Sequence, residues 1–189
     1  MGTEGEDNGA DMYRRYLSGD SDAFAELVAL YEDEFSRFIH SIVGDSQEVR
    51  HIVVDAFSML AVGGSGFAGR SSVKTYLFTI GKNLARKTAR LLRRDEGVAL
   101  EAIGNVLVGD SADPCSILER EESKRDLLKA MSALKEDHCA VLSLLYFEDM
   151  SYAEAGQAMG KSISQVRGLA HRARTSLKKE LELHGITGV

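Results

Sequence analysis

Two helix-start signals near the C-terminus constrain the fold of this chain more than any other feature. Ser151 is followed three residues later by Glu154, and Ser162 stands in the same relation to Gln165. Each pair fits a capping box, in which a hydroxyl and a side chain three residues on satisfy the free N–H groups that open a helix. Gly160 lies between the two signals, where the first helix must end and the chain must turn. The pattern predicts two short helices joined by a tight turn, which is a helix-turn-helix.

The second of these helices is predicted to be apolar on one side and basic on the other. Its apolar stripe consists of Val166, Leu169, Ala170, Ala173 and Leu177. Its polar side consists of Ser164, Gln165, Arg167, His171, Arg172, Arg174 and Lys178. The second helix of a helix-turn-helix fits the DNA major groove, so this side is expected to face DNA. An ordinary helical hairpin with a solvated face is the alternative, and the absence of acidic residues between Ala155 and Lys179 argues against it.

The composition is that of a globular protein. The 189 residues are 44% hydrophobic and 28% charged, which allows one large domain or two small ones. No apolar run approaches the roughly 20 residues of a membrane span, and the acidic N-terminus is not a signal peptide, so we expect a cytoplasmic protein without membrane insertion. Cys115 and Cys139 are too few and too isolated for a disulfide framework or a zinc site. We therefore expect no metal and no cofactor.

The net charge of −6 conceals two basic segments. Residues 61–94 contain eight basic side chains and no acidic one, and the segment from Lys161 onward is also basic. The stretches 1–60 and 95–160 are both acidic. Like charges so close together would repel one another without a polyanion beside them. Two separate contacts with a polyanion are therefore predicted.

The N-terminal region is predicted to contain a short tail followed by helices. Residues 1–19, which begin with a glycine- and acid-rich stretch, are expected to form a flexible tail. The first helix is expected from about Asp20, with an apolar side of Phe24, Leu27, Val28, Tyr31, Phe35, Phe38, Ile39 and Ile42. The second follows a break at Gly44 and has an apolar side of Val49, Ile52, Val53, Phe57 and Leu60. Nothing alternates with a period of two, so no sheet is expected.

A glycine-rich loop and a third helix come next. The loop, residues 61–72, exposes Phe67 and Arg70, which suit stacking on a nucleotide but are equally what an idle surface loop presents. The third helix is expected from Ser72 to about Arg94, with a buried side of Val73, Tyr76, Leu77, Ile80 and Leu84. Another side carries Lys82, Arg86, Arg90 and Arg93. A nucleic-acid contact is favoured for that side over a solvated charged face.

Residues 95–115 are predicted to link two domains. This stretch is acidic and glycine-containing, and it includes Pro114, which disfavours helix in the residue before it. Helix is expected to return from about Ser116, with apolar stripes at Leu127, Leu128, Met131 and Leu134 and at Val141, Leu142, Leu145 and Tyr146. The predicted fold is all-α, with two small helical domains (20–94 and 116–184) joined by a flexible linker and the helix-turn-helix in the second.

The order of these parts resembles RNA polymerase sigma factors of the extracytoplasmic-function group of the sigma-70 family. The resemblance covers roughly residues 20–94 and 127–181. The stretch AVLSLLYFEDMSYAEAGQAMGKSISQVRGLAHRARTSLKKEL follows the family's region 4 in spacing. The stretch SSVKTYLFTIGKNLARKTARLLRR is similar to the family's helix that opens and reads the −10 element. Within it, Asn83 matches the family's asparagine, and Tyr76 stands where tryptophan is usual.

The resemblance implies a transcription initiation factor, with no catalytic residue and with three binding surfaces. The first domain would bind the polymerase clamp through His51, Val54 and Asp55. It would bind the −10 strand through Phe67, Arg70, Lys74, Tyr76, Lys82, Asn83, Arg86, Lys87 and Arg90. The second domain would read the −35 duplex through Ser164, Gln165, Arg167, Gly168 and His171, with Arg172, Arg174 and Lys178 nearer the phosphates. The implied partners are the RNA polymerase core, through its β′ clamp and β flap, promoter DNA and an anti-sigma factor.

The sequence departs from the family pattern at several positions. In the second helix, Arg50 and His51 occupy positions that are usually acidic, and Val54 replaces a glutamine, whereas Asp55 keeps the later acid. Two further replacements affect the DNA-binding helices: Leu169 for a usual arginine and Lys87 for a usual aspartate. A divergent sigma-like factor is therefore predicted.

Two other classes of function remain as alternatives. A helix-turn-helix regulator that binds duplex DNA without recruiting polymerase would need no polymerase contact, and the replacements at Arg50, His51 and Val54 fit it. An enzyme would need a catalytic cluster, and the sequence contains no HExxH, phosphate-loop or GxSxG motif. His138 and Cys139 are adjacent in sequence, and neighbours on a helix do not face one another, so they are a poor nucleophile–base pair.

Overall fold

The computed structural model describes residues 4–44, 47–63, 67, 69, 71–95, 127, 129–131 and 133–183, without the side chains of 4–7 and 93–95. The N-terminal half contains α1 (Glu4–Leu17), α2 (Ser21–Val43), α3 (Glu48–Val62) and α4 (Val73–Asp95). The C-terminal half contains α5 (Glu136–Leu142), a π-helical extension of it (Ser143–Phe147), α6 (Tyr152–Met159) and α7 (Ile163–Leu183). These described ranges contain no strand, and the predicted all-α class is confirmed.

Some sequence-based predictions fall outside the described residues. They concern Arg70, the side chain of Arg93, the linker after residue 95, Cys115 and the start of the second domain at residue 116. The boundaries of the two predicted domains therefore stay predictions.

Aromatic rings form the centre of the N-terminal half, where α2, α3 and α4 meet. Phe35 is fully buried, and its ring lies edge-on to Phe57 and Phe78, with centroid separations of 5.6 and 5.3 Å. Phe38 packs on Phe78 at 4.9 Å. The predicted apolar sides of the three helices provide this core, because their helical spacing places those residues on one side of each helix.

Gly81 allows α4 to lie close to α2. A Cβ atom at this position would overlap the ring of Phe35 and would lie 2.8 Å from Cδ1 of Ile39. The glycine lowers the helix propensity of α4 but provides the space that the Phe35 ring fills.

The first helix, α1, occupies a segment for which the sequence predicts a flexible tail. Tyr13 of α1 is 1% exposed, and its hydroxyl donates to the carbonyl of Leu60 at 2.8 Å. The ring of Tyr16 packs on that of Phe24 in a tilted arrangement, with centroids 4.7 Å apart. Tertiary packing of these two tyrosines stabilises a helix whose own sequence, rich in glycine and acidic residues, favours it weakly.

The end of α5 differs from the predicted apolar stripe. Val141 and Leu142 are buried as expected, but Tyr146 is 55% exposed. It lies in the π-helical extension, whose wider turns rotate later side chains relative to a continuous α-helix. Tyr146 is therefore directed toward the surface of the helix-turn-helix.

The two halves of the chain pack against each other. Helix α6 lies against α4, and α5 lies against α2. At the second contact, the thiol of Cys139 donates to the carbonyl of Ser41 at 2.8 Å, and the hydroxyls of Ser143 and Ser41 are hydrogen-bonded at 3.0 Å. Buried residues of both halves belong to one hydrophobic cluster. The sequence predicts both helical groups but not this contact between them.

Candidate nucleic-acid interface

The helix-turn-helix forms as its capping signals predict. The hydroxyl of Ser151 accepts the N–H of Glu154 at 3.2 Å, and the Glu154 carboxylate accepts the N–H of Ser151 at 2.8 Å. Ser162 and Gln165 make the same exchange at 3.3 and 2.8 Å. Gly160 ends α6 in the left-handed conformation, with φ of 65°. Both capping boxes and the turn are confirmed.

The second helix of the motif, α7, separates its apolar and polar sides as predicted. Its buried residues are Val166, Leu169, Ala170, Ala173 and Leu181. Its exposed polar residues are Ser164, Gln165, Arg167, His171, Arg172, Arg174 and Lys178. Gly168, which lies among them, is half-buried. Helix α7 therefore presents one basic surface to solvent, of a shape and charge that suit a DNA groove.

Two tyrosines position arginines of this surface. The guanidinium of Arg167 lies 5.6 Å from the ring centroid of Tyr152, within the range of a cation–π contact. The Nη1 of Arg174 donates to the hydroxyl of Tyr146 at 2.8 Å. Sequence reasoning missed both contacts, because Tyr146 reaches Arg174 only through the π-helical turn. Such contacts already restrict each arginine side chain, so less conformational entropy is lost when it binds a ligand.

The basic side of α4 is divided between two environments. One group of residues, which contacts the C-terminal half, consists of Lys74, Lys82 and Arg86. A second group, which is exposed, consists of Asn83, Lys87 and Arg90. The exposed group lines an open groove together with Arg86 and Leu91. The predicted −10 surface is therefore partly available to solvent and partly covered.

Lys82 is the most deeply covered of these residues, with 4% exposure. Its ammonium donates to the carbonyl of Ala158, in the last turn of α6, at 2.7 Å. Carbonyls at a helix C-terminus carry partial negative charge, which makes them favourable partners for a cation. The pKa of Lys82 is lowered to about 8, mainly by burial; Arg86 and Lys161 also lower it, while Asp137 opposes them.

Lys74 connects both halves through two carboxylates. Its ammonium lies 2.8 Å from the carboxylate of Glu34 and 3.4 Å from that of Glu148, and it donates to the Glu148 carbonyl at 3.3 Å. The Glu148 side chain is 1% exposed. Burial raises the pKa of Glu148 to about 7, with Glu34 adding to the rise and Lys74 and Arg37 opposing it.

The aromatic residues predicted to contact the −10 strand are packed together. The ring of Phe67 meets that of Tyr13 edge-on at 5.5 Å and that of Tyr76 at 5.3 Å. Both Phe67 and Tyr76 are half-buried. In this conformation, the Phe67 ring is engaged with α1 and α4, so stacking on a base would require it to leave these contacts.

The three residues predicted to contact polymerase lie on the exposed surface of α3. His51 and Asp55 are exposed, and Val54 is 56% exposed. Val62, two turns further along α3, is 87% exposed. The structure thus brings His51, Val54 and Asp55 together on a surface that is partly apolar.

Comparisons with known proteins agree with this arrangement. The family description "Sigma-70, region 4" matches residues 130–179, which contain α5, α6 and most of α7. The sigma factor SigW of Bacillus subtilis, of the extracytoplasmic-function (ECF) group, is 25% identical over 175 residues, covering 89% of this chain and 94% of that protein. The RNA polymerase sigma-H factor of Pseudomonas aeruginosa is 28% identical over 178 residues, covering 90% and 92%. Over most of its length, the chain is therefore similar to RNA polymerase sigma factors, including one of the extracytoplasmic-function group.

Two solved structures share the fold of this chain. CnrH, in complex with the cytosolic domain of CnrY, superposes with a TM-score of 0.69 at 22% identity and covers 93% of this chain. The sigma factor RpoE of Bartonella quintana, in complex with the anti-sigma factor NepR, gives a TM-score of 0.66 at 22% identity and covers 84%. The likeness extends over both helical halves.

Within the described part of the chain, no group of histidine, cysteine and acidic side chains could hold a metal ion. No helix in that part is long and apolar enough to cross a membrane. Burial raises the pKa of Cys139 to about 11, and its hydrogen bond goes to Ser41, not to His138.

The buried carboxyl of Glu148 predicts a pH dependence of stability. Because the pKa of Glu148 rises from 4.5 to about 7 on burial, its contribution to folding stability is complete below pH 4.5 and is lost as pH rises through 7. The neutral Glu148→Gln variant should match the wild type near pH 5 and exceed its free energy of unfolding by up to about 3 kcal/mol near pH 8. Urea unfolding of both proteins across this range measures the difference. A wild type that gains stability over the variant above pH 7 would show that the ion pair with Lys74 outweighs burial.

Proposed function

We propose that this chain is a sigma factor of the extracytoplasmic-function group and directs core RNA polymerase to promoters that carry −10 and −35 elements. The observation that carries the proposal is the completed helix-turn-helix, with its exposed basic surface, inside the segment that matches region 4. The protein acts as an initiation factor and not as an enzyme. Because its polymerase and DNA partners are in the cytoplasm, we place it there.

The −35 duplex binds to α7. Side chains at the start of the helix reach base edges, and these are Ser164, Gln165, Arg167 and His171. Gly168 has space for a close approach of DNA, because a Cβ there would meet only the end of the Arg172 side chain, at 3.5 Å. Arg172, Arg174 and Lys178 lie later on the helix and contact phosphates, which position the protein without specifying sequence.

The −10 strand binds to α4 and the loop before it. The exposed groove provides an amide and three cations for the strand: Asn83, Arg86, Lys87 and Arg90. Lys74, Tyr76 and Lys82 complete this surface, with Phe67 and Arg70 of the preceding loop. An amide can hydrogen-bond to the edge of an unstacked base, and cations contact the phosphates of single-stranded and double-stranded DNA alike.

Core polymerase binds to the exposed side of α3 through His51, Val54 and Asp55, at the β′ clamp, and the C-terminal half contacts the β flap. An apolar Val54 in place of the family's glutamine makes this contact less polar than is usual. An anti-sigma factor is a further partner, since the structurally similar RpoE was solved with the anti-sigma factor NepR.

Co-purification with core polymerase tests this assignment. The wild-type chain should be retained by immobilised core polymerase, and Val54→Arg should weaken retention by about 1–3 kcal/mol, because a charge would be buried at the contact. Leu17→Arg is the matched control, since Leu17 is 52% exposed, similar to Val54, but lies on α1. If the wild-type chain is not retained while it still binds −35 duplexes, the protein is a regulator that works without recruiting polymerase.

A further inference from the structure

Tyr146 is an exposed aromatic residue that none of the three proposed binding surfaces includes. The apolar spacing of the sequence predicts a buried position for it, whereas the π-helical extension of α5 leaves it 55% exposed. Turns of π-helix are rare and frequently lie at functional sites. In this position the Tyr146 hydroxyl lies against α7, where it meets Arg174.

The hydrogen bond between these two residues leaves the phenol with a donor to offer. A guanidinium carries only donors, so Nη1 of Arg174 donates and the Tyr146 oxygen accepts, at 2.8 Å. The hydroxyl hydrogen takes no part in this bond and can be donated to a further acceptor. An acceptor that reaches it would also lie beside the guanidinium, so the pair favours an anion with several oxygen atoms.

Arg174 keeps its positive charge in this arrangement. Its partner is a neutral phenol, whereas Arg15 and Arg86 pair with carboxylates. The Tyr146 hydroxyl and, more weakly, the Tyr152 hydroxyl raise the pKa of Arg174, because they accept hydrogen bonds from its charged form. The phenol thus orients the guanidinium without neutralising it, and the charge remains available to an anion.

The pair lies along the side of α7 that is proposed to face DNA. The residues Arg167, His171, Arg174 and Lys178 are exposed at spacings of four, three and four residues, which places them on one side of the helix. Arg174 lies about two turns beyond Arg167, where a helix that reads the major groove with its start meets the DNA backbone. Arginine and tyrosine side chains both contact phosphate oxygens in protein–DNA complexes.

We propose that Tyr146 and Arg174 together bind one phosphate of the −35 duplex, with the Tyr146 hydroxyl and the Arg174 guanidinium as its two donors. The inference rests on the proposed binding of −35 DNA by α7 and adds a contact from outside the helix-turn-helix. Because Tyr146 belongs to the extension of α5, the phosphate is held between two elements of the fold. Such a contact fixes the orientation of α7 on the duplex without specifying a base.

Duplexes with single neutral phosphates test the inference. Each −35 duplex would carry a methylphosphonate in place of one phosphate, and the full wild-type chain and Tyr146→Phe would be titrated against the series. Tyr146→Phe removes only the hydroxyl of an exposed ring, so urea unfolding should show unchanged stability. Tyr16→Phe is the matched control, because its hydroxyl meets the Ala61 carbonyl in the N-terminal half.

We expect Tyr146→Phe to bind unmodified cognate and scrambled duplexes about three- to tenfold more weakly than the wild type, with Tyr16→Phe unchanged. One methylphosphonate should weaken binding of the wild type more than binding of Tyr146→Phe, and its position identifies the phosphate. Equal or tighter binding by Tyr146→Phe, or wild-type sensitivity of this variant to every methylphosphonate, would overturn the inference. A wild-type chain that binds no −35 duplex would instead contradict the proposed function of α7.

Arg174→Ala distinguishes a direct contact of Tyr146 from positioning of the arginine. Alone, it should reduce the slope of log affinity against log salt by about one, whereas Tyr146→Phe should leave the slope nearly unchanged, because a hydroxyl is neutral. In the Arg174→Ala background, Tyr146→Phe should still weaken binding by about twofold or more, since the hydroxyl reaches the phosphate itself. No further loss in that background would show that Tyr146 acts only through Arg174 and would overturn the direct contact.

Discussion

Replacing Arg167 with alanine is expected to weaken binding of the cognate −35 duplex by about 1–3 kcal/mol and to relax its sequence preference. The guanidinium lies at the exposed start of α7, positioned over the ring of Tyr152, where a major-groove helix reaches base edges. Binding to a scrambled duplex should change much less, because base-edge contacts are absent there. Fluorescence anisotropy titrations with both duplexes measure the two losses.

Lys178→Ala provides the control for this prediction. Lys178 is exposed six residues beyond Arg172, where the helix is proposed to meet the DNA backbone, so its loss should weaken all duplexes alike. It should also reduce the slope of log affinity against log salt by about one. Gln165 is a poorer probe than Arg167, because its side-chain oxygen also accepts the Ser162 N–H and caps α7. Equal losses on cognate and scrambled duplexes for Arg167→Ala would contradict its assignment to base reading.

Replacing Phe35 with alanine is expected to lower the free energy of unfolding by about 3–5 kcal/mol. The ring is fully buried, packs on Phe57 and Phe78, and fills the space left by Gly81. Its removal would leave a cavity where α2, α3 and α4 meet, so the effect includes lost burial and lost packing. Urea denaturation followed by circular dichroism measures the change.

Leu30→Ala on the same helix is the matched control for the core. Leu30 is 36% exposed, so its truncation should change stability by less than about 1 kcal/mol. A similar effect of both substitutions would show that Phe35 is not at the centre of the core. Both substitutions lie on α2 and both shorten a side chain to alanine, so the two variants differ mainly in how deeply the side chain is buried.

Local patterns in the sequence predicted the helices that carry the two proposed DNA-binding surfaces. Apolar residues at helical spacing predicted the buried sides of α2, α3 and α4, because side chains one turn apart share a helix face. Two Ser-x-x-Glu or Ser-x-x-Gln signals and Gly160 predicted the helix-turn-helix, because hydrogen bonds among near neighbours determine these ends. Such features depend on short stretches of chain, so a single sequence reveals them.

Helix α1 was not predicted, because the sequence indicated a flexible tail over residues 1–19. Met12, Tyr13 and Tyr16 lie at helical spacing and pack on the core, but the residues before them favour helix weakly. Their helical state depends on contacts with α2 and α3, including the hydrogen bond from Tyr13 to Leu60. Tertiary packing stabilises this helix, and the local helix propensity of its sequence gives little indication of it.

The docking of the two halves could not be read from local patterns. Its contacts join residues far apart in the chain, such as Lys82 with Ala158 and Cys139 with Ser41. The charge pattern is compatible with docking, since a basic stretch is followed by an acidic one. A nucleic-acid partner explains the basic stretch equally well.

Promoter-directed transcription in a purified system tests the central claim most directly. The chain would be combined with core RNA polymerase of its own host and with genomic DNA fragments, and the 5′ ends of the transcripts would be mapped. We predict new transcripts that begin at discrete positions, each preceded by one shared pair of −35 and −10 sequences, and that are absent with core polymerase alone. The same transcript pattern with and without the chain, from a protein that still binds −35 duplexes, would contradict the assignment as an initiation factor.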